Sequence, residues 1–221
     1  MSALVWDKDT ERRYETGIEK VALFPQTNGV YGTGVAWNGI TALNITPSGA
    51  EPTALWANNR KYLTLMSAEE LGGTIEAYMY PDEWMECDGS ATLAKGVYVG
   101  QQPRKPFGLV GRTLIGNDAS GTKFGYKLHF VYNGLASPSE QAHTTVNDSP
   151  EAATMSWEFS TTPVAVPGFE PTSYVCIDST KVDATKLAAL EAIVYGSDDV
   201  ESRLPLPAEI ATLMGDEASE G

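Results

Sequence analysis

Few side chains in this sequence have the type and spacing that covalent chemistry demands. Its only histidines are His129 and His143, and its only cysteines, Cys87 and Cys176, stand 89 positions apart. That spacing gives neither a paired metal-ligand motif nor a disulfide framework. Cys176 sits among Tyr174, Val175 and Ile177, the surroundings of a core thiol, not of an activated nucleophile. Both cysteines are expected to be buried thiols of a reducing cytoplasm. The stretch from Pro81 to Gly89 holds four carboxylates, Asp82, Glu83, Glu86 and Asp88. A calcium loop needs oxygen ligands at regular spacing with a glycine in the middle, and here Trp84 and Met85 occupy ligand positions, so an acidic turn is expected. The glycines of Asn28-Gly29-Val30-Tyr31-Gly32-Thr33-Gly34 could begin a nucleotide fingerprint, but strand formers follow where a helix should open. They predict a hairpin turn. No nucleophile elbow, zinc-protease helix or phosphate-cradling loop is present. The expectation is a chain with no catalytic residue, cofactor or metal.

The elements that would position any site are mostly strands. Twenty-one glycines and thirteen prolines are spread over 221 residues, and 42% of residues are hydrophobic, enough for a real core of short strands joined by turns. Alternation is clearest at Gly125 to Tyr132, where Tyr126, Leu128, Phe130 and Tyr132 share one face and Lys127, His129 and Val131 the other. A second alternating stretch spans 151–161, with Ala153, Met155, Trp157 and Phe159 inward and Thr154, Ser156, Glu158 and Ser160 outward. A third spans 74–80, with Ile75, Ala77 and Met79 opposite Thr74, Glu76, Tyr78 and Tyr80. Ile18 to Phe24, closed by Pro25, predicts a first strand, and Tyr174 to Ile177 a last one. Residues 67–71 fit one helical turn with a capping box of Ser67 and Glu70.

Residues 35–45 and 62–66 supply two more extended segments. Between them, residues 46–60 contain two prolines, a glycine and Asn58-Asn59, which predict a long loop. Leu55 and Trp56 give that loop an apolar tip, more a contact surface than a lid. From Val182 to Tyr195 the period changes: Leu187, Leu190, Ile193 and Val194 predict an amphipathic helix capped by Asp183 and stopped by Gly196. Pro207 to Met214 fits a further short helix.

The architecture expected is therefore mainly β, an antiparallel sandwich with a flanking C-terminal helix and one long inter-strand loop. The domain spans 18–196, preceded by a charged N-terminal arm (1–17) carrying Trp6 and followed by an acidic tail (197–221). The formal net charge of −14, from 29 acidic and 15 basic residues, argues against nucleic-acid binding by the whole protein and against an anionic membrane partner. No run approaches the ~18 apolar residues of a membrane span, and the start lacks the apolar core of a signal peptide. Arg104, Lys105 and Arg112 form the most basic neighbourhood. In an acidic protein they suit the acidic surface of a second copy.

Ordered strings along nearly the whole chain carry a resemblance. They are Gly34-Val35-Ala36-Trp37-Asn38-Gly39, Pro47-Ser48-Gly49-Ala50-Glu51-Pro52-Thr53, Asn59-Arg60-Lys61-Tyr62-Leu63, Tyr80-Pro81-Asp82-Glu83 and Glu86-Cys87-Asp88-Gly89. Gly100-Gln101-Gln102-Pro103-Arg104, Gly116-Asn117-Asp118, Gly125-Tyr126-Lys127-Leu128, Asn147-Asp148-Ser149-Pro150-Glu151 and Ile177-Asp178-Ser179-Thr180-Lys181 continue the series. In this order they resemble the major tail tube proteins of long, non-contractile-tailed bacteriophages, in the branch common among phages of Gram-positive hosts. The resemblance implies a structural virion protein made in the host cytoplasm. Its copies would form hexameric rings whose inner sheets join into one barrel, and the rings would stack into a tube that conducts double-stranded DNA without specific binding. Other partners implied are the tape measure, tail terminator and distal tail proteins. The segment matching the ring-stacking loop contains Pro47, Ser48, Gly49, Ala50, Glu51, Pro52, Leu55 and Trp56. Glu76 and Glu158, on polar strand faces, are the candidates to line the bore. The alternatives are another ring-forming tail or injection-tube component of the same fold, such as a terminator, or a β-sandwich hydrolase or carbohydrate-binding module.

Overall fold

The computed structural model describes residues 3–9, 11–143, 145, 148 and 152–215. The chain opens with β1 (Arg13–Thr27), which turns through Asn28-Gly29 into β2 (Val30–Tyr31), as the glycine-rich stretch predicts. Asn28 and Gly29 both have positive φ, the requirement of a two-residue hairpin turn. Two expectations change here. Arg13 to Thr16, assigned to the arm, already pair with the sheet, and Pro25 lies inside the strand instead of closing it. Then follow β3 (Val35–Ala36), β4 (Ile40–Gly49), β5 (Pro52–Ala57), β6 (Arg60–Met66) and β7 (Glu69–Ala77). Residues 67–71 therefore form no helical turn; Glu69 onward pairs with β4.

Next comes a short helix, α1 (Trp84–Asp88), where an acidic turn was expected. Trp84 and Cys87, three positions apart, both point into the core, and that burial draws the segment into a helix. Gly89 ends it in the left-handed region at φ 84°. The small hairpin β8 (Ala91–Ala94) and β9 (Val97–Val99) leads to two long central strands, β10 (Phe107–Asn117) and β11 (Gly121–Ala136). Their turn is held by Asn117, whose Oδ1 accepts from the amides of Ala119 (3.2 Å) and Ser120 (2.6 Å). After β12 (Met155–Thr161) come β13 (Val164–Val166), β14 (Phe169–Thr172) and β15 (Tyr174–Asp178). The chain ends in α2 (Ala184–Tyr195) and α3 (Pro207–Met214). Glu151, in the segment expected to open β12, and residues 216–221 of the acidic tail lie outside the described residues. Ala153 is exposed and precedes the strand.

The main sheet is antiparallel and runs β2-β1-β10-β11-β12-β7-β4, with β15 also on β11 and β3 on β1. Strand β11 serves both halves: Lys127 to Val131 pair with β15, and Gly134 to Ala136 pair with β12. The change of partner occurs at Asn133, which has φ 47°. Asparagine tolerates that left-handed conformation better than most residues. Its side chain is fixed by Gln26 and Tyr31, both donating to Oδ1 at 2.9 Å.

Folding the sheet over on itself buries one core between its halves. Val21, Leu23, Leu109 and Val131 from one half meet Ile75, Ala77, Trp157 and Phe159 from the other, with Trp37 and Trp84 in the centre. The Phe159 ring lies so close over Gly73 that any Cβ there would collide with it, within 3 Å. The opposite face of β1, β10, β11 and β15 packs under the helices. Phe24, Val110, Leu128, Phe130 and Tyr132 meet Leu187, Leu190 and Val194 of α2 and Ile210 of α3. The layers are thus helices, sheet, core, sheet, and the fold is mainly β and sandwich-like, as the strand pattern predicts.

Helix α2 starts where its cap dictates. Asp183 Oδ1 accepts from the amides of Thr185 (2.9 Å) and Lys186 (3.0 Å). Those two backbone bonds hold the Asp183 carboxyl below its ordinary value. A carboxylate with a depressed folded pKa stabilises above its unfolded pKa, and the gain is lost as pH falls through the folded value. Asp183→Ala is therefore expected to lower the melting temperature at neutral pH. The gap to wild type should narrow as the pH drops below about 3.9, the ordinary aspartate value. Thermal melts from pH 7 to pH 2 check this; a pH-independent gap would show that the carboxylate charge is not involved.

Candidate assembly surfaces

The predicted loop 46–60 is not a loop. Pro47, Ser48 and Gly49 close β4, Ala50 and Glu51 form a kink, and Pro52, Leu55 and Trp56 belong to β5. Strands β5 and β6 pair with each other alone, as a two-stranded ribbon continuing from β4 and β7. The Asn-Asn pair, a loop marker in the sequence, is the ribbon's turn, with φ 52° at Asn58 and 59° at Asn59. Asparagine accepts this conformation where a β-branched residue would not. At the base, Gly49 (φ 77°) and Ala50 (φ 53°) are both left-handed, which kinks one strand of the ribbon against the sheet. No ribbon residue belongs to either buried core. Trp56, Tyr62, Leu65 and Met66 are each more than half exposed, and Leu55 and Leu63 only somewhat less.

The second surface is the outer face of β4, β7 and β12. Register places Glu76 opposite Ser156 and Glu158 opposite Thr74, so the two candidate bore residues share a face on neighbouring strands. Across β7, Ala42 lies opposite Glu76, Asn44 opposite Thr74 and Ser48 opposite Glu70. Thr46, Gly72 and Ser160 complete the face. It carries three glutamates and no lysine or arginine, and its other residues are small or polar. Its underside is Leu43, Ile45, Ile75, Trp157 and Phe159, packed into the core. Strand β4 is the edge, paired only with β7. Pro47 has no N–H to donate, which suits an edge strand.

The three basic candidates are not gathered into one free patch. Lys105 pairs with Glu86 of α1. Arg112 pairs with Glu19 of β1, its side chain only 18% exposed, and stacks over Tyr126 with the guanidinium carbon 4.8 Å from the ring centroid. Arg104 lies against Gly89, and its charge opposes the burial that raises the Asp88 carboxyl. Two of the three thus find their acidic partners inside the subunit.

The histidine region holds a hydrogen-bonded chain that no local spacing announces. Thr113 Oγ1 donates to Glu15 Oε1 (2.6 Å) and lies 2.8 Å from His129 Nε2; His129 Nδ1 lies 2.6 Å from the Tyr174 hydroxyl. With its proton given to Glu15, Thr113 must accept from Nε2–H, and Nδ1 then accepts from Tyr174. Burial pushes the His129 pKa down, which favours this neutral ring. Burial would raise Glu15, but bonds from Lys127 and Thr113 outweigh it and hold the carboxyl low. The chain ties β1 to β10, β11 and β15. The Thr113 hydroxyl proton is already given to a carboxylate, so His129 has none to take from it.

The cysteines differ from each other. Cys87 is fully buried, and burial together with the Glu86 charge pushes its thiol up to about 12. Cys176, expected in the core, is exposed on β15. The alternation of β15 explains this: Ile177 turns to the helix core, so Cys176 must face the other way. Among the described residues no group of three or more His, Cys, Asp or Glu could hold a metal ion, and no helix is long and apolar enough to cross a membrane. No protein-family model matches the chain, and no curated protein matches it at a significant level.

Proposed function

We propose that this chain is the repeating subunit of a tail tube, a structural virion protein that assembles with itself and acts on no substrate. Six copies close a ring, rings stack, and double-stranded DNA passes along the bore. The observation that carries this reading is the outer face of β4, β7 and β12. An ordinary solvent face mixes both signs of charge, whereas this one offers only carboxylates among small polar side chains. A bore repeats each side chain many times along its length. One inward lysine would become a track of cations, each neutralising a phosphate and releasing counterions to tighten binding. An acidic bore repels DNA and lets it slide.

The open edge of β4 supports the same reading. Ten residues of unpaired strand edge invite pairing with another chain. A ring of subunits satisfies those backbone groups and removes the edge altogether. The helices lie on the far side of the molecule from the acidic face, where they do not obstruct such a closure. The ribbon supplies the contact between rings.

Electron microscopy of the purified protein at increasing concentration tests the reading; rings and tubes are expected, and monomers at every concentration would refute it. The bore assignment has its own test. Glu76→Lys with Glu158→Lys, in virions that still assemble tails, should slow DNA ejection, and added salt should relieve the slowing. Ejection at the wild-type rate at low ionic strength, with tails intact, would remove both residues from the bore.

A further inference from the structure

The register of the ribbon has a consequence for how many neighbours it meets. Thr53 lies opposite Leu65 and Leu55 opposite Leu63, so these four side chains share one face. Pro52 lies opposite Met66, Ala54 opposite Thr64 and, after a bulge, Trp56 opposite Lys61, which makes the second face. Each face therefore carries large apolar residues, and the subunit itself covers neither. A strand with one wet face alternates apolar and polar residues, whereas a strand that is apolar on both faces is buried on both. A hairpin that lined a membrane pore would also alternate, with a polar side toward the water. This ribbon does not.

We infer that the ribbon is clamped on both faces by two different copies of this chain. The inference rests on the proposed tube. In a head-to-tail stack a protruding ribbon reaches the next ring, and the boundary between two laterally adjacent subunits there presents two surfaces at once. Strands of six and seven residues span about 20 Å, enough to enter such a boundary. Charge favours a second copy as the occupant: the tip carries Arg60 and Lys61, while the chain as a whole bears −14. An isolated two-stranded ribbon is marginally stable in water, so the clamp also orders it.

Leu55 and Trp56 are neighbours in sequence on opposite faces, which makes the test direct. A photo-reactive benzophenone residue replaces one or the other, and the labelled chain is diluted into excess unlabelled chain so that tube assembly does not depend on it. After illumination of the tubes, mass spectrometry of the digest maps each cross-link. The two positions are expected to reach two different, non-overlapping segments of neighbouring copies. In intact tubes, cross-links from only one position, or from both to the same segment, would overturn the clamp and leave the tube standing. If unlabelled chain forms no tubes at all, the tube and the clamp fall together.

Discussion

Joining Gly49 to Glu69 through an Asn-Gly turn, with residues 50–68 removed, should give a subunit that melts like the full chain yet forms no tubes. Gly49 and Glu69 are directly opposed in the β4–β7 ladder, so a two-residue turn spans the gap between them. The excised ribbon contributes nothing to either buried core, and its own pairing is confined to β5 and β6. Removing it therefore costs the subunit no packing, while shortening the connection slightly lowers the entropic cost of closing it. The effect on assembly should be all or none, because the excision removes the exposed apolar side chains of Leu55, Trp56, Tyr62, Leu63, Leu65 and Met66 together, and with them the proposed contact between rings. Circular dichroism melts and negative-stain microscopy read the two outcomes separately. Loss of cooperative unfolding would make the ribbon part of the fold, and tubes of normal length would remove it from stacking.

How the ribbon escapes a sequence reading follows from what it is. Alternation reveals a strand because one face is wet, and β12 shows it cleanly: Trp157 and Phe159 in, Ser156, Glu158 and Ser160 out. Leu55-Trp56 and Tyr62-Leu63 are apolar on both sides of a strand that finds its cover outside the subunit, so no period of two emerges. Proline and Asn-Asn then read as loop markers, though one lies at a strand start and the other makes a tight turn. Helix α2 was legible because its cap, its apolar spacing and its stop are all local. Helix α1 was not, because only the tertiary burial of Trp84 and Cys87 distinguishes it from an acidic turn.

The same division holds for the candidate site. Glu76 and Glu158 were each legible as outward-facing residues of an alternating strand. Their meeting on one face depends on the β7–β12 register, a long-range pairing that neither segment encodes by itself. Read along the chain, Arg112 is available to a partner, because its own partner, Glu19, lies 93 positions away. Charge counted along the chain locates a basic neighbourhood but cannot say which charges the fold has already paired.

Trp157→Ala should destabilise the subunit by about 3–5 kcal/mol, the usual cost of emptying a buried aromatic site. Trp157 is 1% exposed and meets Trp37, Trp84 and Tyr80 with ring centroids 5.8, 5.6 and 5.6 Å away, all edge-on. Such pairs add to the area they bury, so three are lost with the indole. The cavity cannot close easily. Trp37 is itself anchored by its indole N–H, which donates to the Met79 carbonyl at 2.8 Å, and Trp84 is fixed on α1. The cost also falls between the two halves of the sheet, where the core has no second layer to take up the slack. Trp56→Ala is the internal control: at 70% exposure it should shift the stability of the free subunit by no more than about 0.5 kcal/mol. Urea unfolding of both variants measures the difference, with an unchanged slope showing that the midpoint shift reports stability. A loss under about 1 kcal/mol for Trp157→Ala would mean that the aromatic cluster is not the centre of the fold.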